Sequence, residues 1–161
     1  MPNLIEDIIN EVLTDGVQKY ALDFVAYLRA NEMLFESGKG YWKDEFYWMI
    51  KFEGEYVCFI QIGGDERKDN SWTIWSDDSD SKWFEDYPLD ERLRKIAWEN
   101  VDICGNCGGC SIPGGDLKTI FGKEFNNVCI ATLRFNNPDA EALECAKKMV
   151  EIRKSDIIGD I

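Results

Sequence analysis

Phe46-Tyr-Trp-Met-Ile-Lys-Phe-Glu-Gly-Glu-Tyr-Val-Cys-Phe-Ile-Gln-Ile62 decides the fold class. Over Glu45–Phe52 one face carries Phe46, Trp48, Ile50 and Phe52, and Tyr56–Ile62 alternates again. Successive side chains of a strand point to opposite faces, so an apolar period of two marks a half-buried strand. Glu53-Gly54 between the two runs is a turn signal, and the whole reads as a β-hairpin. Ser71–Ser76 reads as a third strand, with Trp72 and Ile74 opposite Thr73 and Trp75. Helices on one side of the sheet cannot cover both tryptophans. One of the two must meet solvent, another chain or a ligand.

Upstream the period changes. Leu4, Ile5, Ile8, Ile9, Val12 and Leu13 form one stripe of a helix closed by Asp15-Gly16. Val17, Tyr20, Ala21, Phe24 and Leu28 form the apolar face of a second helix that runs to about Asn31. Downstream, Asp90 caps a helix with Leu93, Ile96 and Ala97 inward. Leu117–Phe121 and Val128–Phe135 predict a second hairpin, joined through Gly122–Asn127. Asn137-Pro138-Asp139 reads as an N-cap, a first-position proline and an acid in the first turn of a last helix reaching about Lys154. The expected fold is α+β, an antiparallel sheet from two helix-plus-hairpin units packed against helices. Its domain spans 17–161, and residues 1–16 add an amphipathic N-terminal helix. That helix must bury its stripe on the domain or on a second copy, giving a homo-oligomer in the latter case.

The chain has 161 residues, a length that suits one core, and 45% apolar residues set it apart from disordered and membrane-like chains. No apolar run approaches the length needed to span a bilayer, and acids follow Met1 where a signal peptide carries bases. A cytoplasmic location is therefore expected. A net charge of −13 repels phosphate backbones and anionic lipids, so neither nucleic acid nor membrane is an expected partner. With no histidine, Ser-His-Asp and Cys-His catalysis and mixed Cys-His zinc sites are excluded.

What remains for chemistry is thiol and carboxylate. Cys104-Gly-Asn-Cys107-Gly-Gly-Cys110 puts three cysteines in seven residues. Zinc binds such thiolates strongly, and Gly105, Gly108 and Gly109 let the chain wrap around it; Cys129, Asp102 or Asp116 would be the fourth ligand. An iron–sulfur cluster is a second reading, although Gly114 stands where the ferredoxin run places its fourth cysteine. Redox-active or free thiols are a third. Cys129 alternates with Ala131, Leu133 and Phe135, which places it on an apolar strand face, and Cys58 and Cys145 read as core.

Six tryptophans add a binding reading. Trp48, Trp72 and Trp75 with Glu45 and Glu55 would make an aromatic cleft for a cationic or aromatic small molecule, and a tryptophan-rich core is the competing reading. The function expected is a small-molecule-binding module with a structural thiolate metal site. The alternatives are a thiol redox protein, a small hydrolase using a carboxylate in the cleft, and an interaction protein that self-associates through its first helix.

Trp72-Thr-Ile-Trp-Ser-Asp-Asp78, the cysteine run, Ile120-Phe-Gly-Lys-Glu-Phe125, Asn127-Val-Cys-Ile130, Asn137-Pro-Asp-Ala-Glu-Ala-Leu-Glu-Cys145 and Val150-Glu-Ile-Arg-Lys-Ser-Asp-Ile157 resemble a group of small uncharacterised bacterial proteins. The resemblance runs from about Trp42 to Ile157 and carries no known activity. The order of elements is also similar to the gyrase-inhibitor-like effector-binding superfamily, which implies a cleft between two repeated units for a small aromatic or cationic molecule. That superfamily begins with a strand, where this chain has a helix pattern.

Overall fold

Glu53 and Gly54 take φ of 50° and 83°, the two positive values of a type I′ turn, whose twist matches the strands it joins. They lie in a computed structural model that describes residues 4–37, 46–63, 70–76, 83–103 and 115–159. The elements in chain order are α1 (Ile5–Val12), α2 (Asp15–Ala30), β1 (Leu34–Ser37), β2 (Tyr47–Phe52), β3 (Glu55–Ile62), β4 (Trp72–Ser76), α3 (Glu91–Glu99), β5 (Val101–Ile103), β6 (Asp116–Ile120), β7 (Lys123–Asn136) and α4 (Ala140–Ile158). The fold is α+β. Its strands pair antiparallel in the spatial order β1-β2-β3-β4-β7-β5, and β6 pairs β7. β4 bonds to β3 on one side and β7 on the other, so it joins the two hairpins.

Alternation sorts the faces. Trp48, Ile50, Ile60, Ile62, Trp72, Ile74, Leu133 and Phe135 turn to the helices and share one core with residues of all four. The opposite face carries a smaller cluster of buried Tyr47, Met49 and Phe59, with Tyr56 and Trp75 half-buried beside it. A register shift after Ile50 pairs Lys51 with Tyr56, so Val57 and Cys58 both join the helix-side core.

The stripe of α1 packs on the chain's own core: Ile5, Ile8, Ile9 and Leu13 are buried there. Arg29 of α2 clamps the helix by donating from Nε and Nη2 to the Glu6 carboxylate at 2.6 and 2.8 Å. That hydrogen bond holds the Glu6 carboxyl below its ordinary range. The clamp's contribution is therefore fully present above pH 4.5 and is lost as pH falls through the lowered folded value. Both side chains are partly exposed, so it amounts to about 0.5–1 kcal/mol and is screened by salt. Glu6→Gln should lower the melting temperature by a few degrees at pH 7 and leave it unchanged near pH 2. An equal deficit at both pH values would assign the effect to packing.

Several boundaries differ from the sequence expectation. β1 and β5 are additional, α2 starts at Asp15, and α4 extends to Ile158, stopped by Gly159 at φ 81°. The second hairpin turns at Phe121-Gly122, with φ of 47° and 85°. Backbone bonds from Phe121 N to Phe84 O and Gly122 N to Glu85 O anchor it. Residues 123–127, read as a connection, are therefore strand. Asp139 is the N-cap of α4, its side chain accepting from Ala142 N at 2.9 Å. Asn137 instead accepts from Trp72 N and donates its own N–H to Trp72 O, extending the β4–β7 pairing.

Candidate functional site

β7 pairs along both edges, and the two edges meet the cysteine segment. Val128 faces Ile103 of β5 on one side and Asp116 of β6 on the other. The described strand ends on either side of residues 104–114, Ile103 and Asp116, thus flank one residue, about 10 Å apart at two strand spacings. Gly115 at the return lies so close that a Cβ there would come within 2.6 Å of the Asn127 carbonyl oxygen. Its N–H donates to Asn127 Oδ1 at 2.8 Å. Only glycine allows that approach.

Just beyond Val128 the strand bulges. On β5, Val101 pairs with Leu133 but Ile103 pairs with Val128, so five steps on β7 oppose two on β5. Thr132 takes φ of 65°, an unfavourable conformation for a β-branched residue. Side chains replace the interrupted ladder. Ser76 Oγ donates to Ala131 O and accepts from Leu133 N. The Lys118 ammonium donates to Cys129 O at 3.1 Å and Thr132 Oγ1 at 2.8 Å.

The bulge also moves Cys129. Simple alternation puts it with Leu133 and Phe135 on the apolar face. The irregularity places Val128 in the helix-side core instead, and Cys129 is half-buried and hydrogen-bonded to the Asp102 carboxyl. Asp102 is 4% exposed. Its Oδ2 has no hydrogen-bond partner among the described residues. Burial pushes its carboxyl above the usual range, while Arg134 and the Cys129 thiol pull it down. A buried carboxylate oxygen without a donor carries a large desolvation penalty, which a cation or further donor would relieve.

Cys104, Cys107 and Cys110 lie outside the described residues. Among the described residues no three cysteine or acidic side chains gather to hold a metal ion. Asp102 and Cys129 nevertheless fit a thiolate site. They are a hydrogen-bonded thiol and carboxyl with an unused oxygen, at the stem of the segment that carries three more thiols. Asp116 is exposed at the other stem. Cys58 and Cys145 are buried in the core, and burial raises the Cys145 thiol to about 12.

No family model, curated protein or solved structure matches this chain.

The aromatic candidates divide between the two faces. Trp48 and Trp72 belong to the helix-side core, and Trp75 lies opposite, 6.2 Å from Tyr47. Glu55 is exposed beside the β2–β3 turn, and Glu45 lies outside the described residues. The described ones, Trp48, Trp72, Trp75 and Glu55, do not form one wall. On the helix-free face, cross-strand pairing runs Glu36, Met49, Phe59, Trp75, Arg134 in one row. The Arg134 guanidinium sits 5.5 Å over the Trp75 ring and close enough to Asp102 to act on its carboxyl. An aromatic strip therefore leads toward the bulge. Arg134, Lys118 and Ser76 belong to this arrangement and were not among the residues singled out from sequence. Their involvement follows from the bulge, which leaves no mark in periodicity.

Proposed function

We propose that the chain is a small-molecule-binding module whose cysteine segment is held by a structural thiolate metal site. Zinc suits the site best, with Cys104, Cys107 and Cys110 as ligands and Cys129 or Asp102 completing the set. The observation that carries this reading is the buried Asp102 oxygen that finds no donor among the described residues, beside Cys129 at the segment's stem. The metal would tie the ends of β5 and β6 across Val128 and leave the rest of the fold to bind the ligand. The resemblance of element order to the effector-binding superfamily supports a binding role, and the aromatic strip around Trp75 agrees with it.

Metal analysis and an absorption spectrum of anaerobically purified protein test the site. One zinc per chain, colourless protein and release of the metal on thiol blocking are expected. Cys58 and Cys145 should stay unmodified in the native protein, because burial keeps both from reagent and keeps Cys145 protonated. A brown protein absorbing near the visible edge would transfer the site to an iron–sulfur cluster. Metal-free protein with three reactive thiols would overturn the metal reading in favour of thiol redox chemistry.

A further inference from the structure

Beyond the metal site the fold holds a cavity of about 310 Å³. It opens between the start of α2, contributing Thr14, Asp15, Gly16, Val17 and Tyr20, and the β7–α4 junction at 137–139. Its floor is Trp72, 1% exposed, and buried Pro138; Asp15 and Asp139 are exposed at its mouth. The volume is at the small end of ligand pockets, which combine apolar walls with a few placed polar groups.

Charge decides what would enter. Among the described residues no lysine or arginine lines the cavity, whereas two aspartates do. Two helices begin here and each presents the equivalent of about +0.5 charge at its N-terminus. Two full negative charges outweigh that, and the Asp139 side chain already accepts from Ala142 N in the first turn of α4. Half-buried Tyr20 in the wall adds an aromatic side chain of the kind that attracts cations.

We propose that this cavity binds a small organic cation, a protonated amine carrying one apolar or aromatic group. The apolar group would enter between Tyr20, Val17 and Trp72, and the ammonium would remain at the mouth between Asp15 and Asp139. This rests on the binding half of the function proposed above and is independent of the metal.

Calorimetric titration with 2-phenylethylamine at pH 7 tests it, with 2-phenylethanol as the uncharged comparison. Saturable binding of the amine is expected, at least tenfold tighter than the alcohol. Gly16→Leu should weaken it: Gly16 lines the cavity and a Cβ there meets nothing within 4 Å, so a larger side chain can be added at the wall without disturbing the backbone. The pair Asp15→Asn with Asp139→Ser should remove the preference for the amine. Asn tolerates the φ of 52° at position 15 and Ser retains the α4 cap, so this variant tests charge independently of Gly16→Leu. Amine binding unweakened by Gly16→Leu but lost in Trp75→Ala would overturn the cavity and leave the binding module with its site on the helix-free face. Equal affinity for amine and alcohol would overturn the cation assignment. No saturable binding of either probe would overturn the cavity proposal, while binding of other small molecules would still decide the module reading.

Discussion

A chain beginning at Thr14 is expected not to fold. Ile5, Ile8, Ile9 and Leu13 are almost wholly buried against α2 and the sheet. Burying each contributes about 1.5–3 kcal/mol, so the four together approach the whole stability of an ordinary domain, about 5–15 kcal/mol. The truncated chain should lose its cooperative thermal transition by circular dichroism and expose apolar surface to a fluorescent dye. The single variant Ile9→Ala, at a position with no exposed surface, should remain folded but lose about 2–5 kcal/mol in urea denaturation. A truncated chain melting within a few degrees of the full one would show that α1 is an appendage.

The same burial bears on self-association. Of the stripe expected to need a cover, Leu4 stays exposed at 59% and Val12 is half-buried. A dimer through α1 would have to unpack the helix first. Of the two covers expected, the domain or a second copy, the chain's own core supplies the first.

The hairpin at Glu53-Gly54 was legible because two independent signals agree there, period-two alternation and a glycine where φ must be positive. Asp90 was legible as a cap for a comparable reason: its side chain accepts from Leu93 N at 3.1 Å and an apolar helical stripe follows. β1 and β5 were not, since strands of four and three residues carry too few positions to show a period. Gly122–Asn127 was read as the connection of the second hairpin. Asn127 does take φ of 59°, but it serves a bulge inside β7, and the turn falls at Phe121-Gly122. Asn137 looked like the helix cap because Pro138 follows it; the pairing with Trp72 takes its side chain, and Asp139 caps instead. The fold class survived these shifts because it depends on the order and faces of the long elements.

The candidate site was legible in part. The cysteine spacing and Asp102 beside it are visible in the sequence, and Cys129 could be named as a fourth ligand. Its surroundings could not be. Alternation across 129–135 assumes an unbroken strand, and Thr132 at φ 65° breaks it. No local preference of threonine announces that conformation. It holds because the side chains of Ser76 and Lys118, distant in sequence, bond to what the bulge leaves unpaired.

That dependence makes Ser76→Ala the other substitution of large expected effect. Ser76 is buried, and its hydroxyl serves two backbone groups at once, as donor to Ala131 O and acceptor from Leu133 N. Alanine leaves both without a partner in a place water reaches poorly. An unsatisfied buried polar group costs about 1–3 kcal/mol, so a loss of about 2–4 kcal/mol is expected in urea denaturation. The strain at Thr132, about 1–2 kcal/mol, adds to the tendency of the bulge to open once that anchor is gone. Thr73→Ala on the same strand is the comparison. Its hydroxyl bonds to Asn136 Oδ1 at an exposed site, where water replaces the partner, and it should change stability by under about 0.5 kcal/mol. If the bulge is also the scaffold that sets Cys129 beside Asp102, Ser76→Ala should release zinc to a chelator faster than Thr73→Ala at temperatures where both remain folded. Destabilisation with unchanged metal release would confine Ser76 to the fold and remove Cys129 and Asp102 from the proposed metal site.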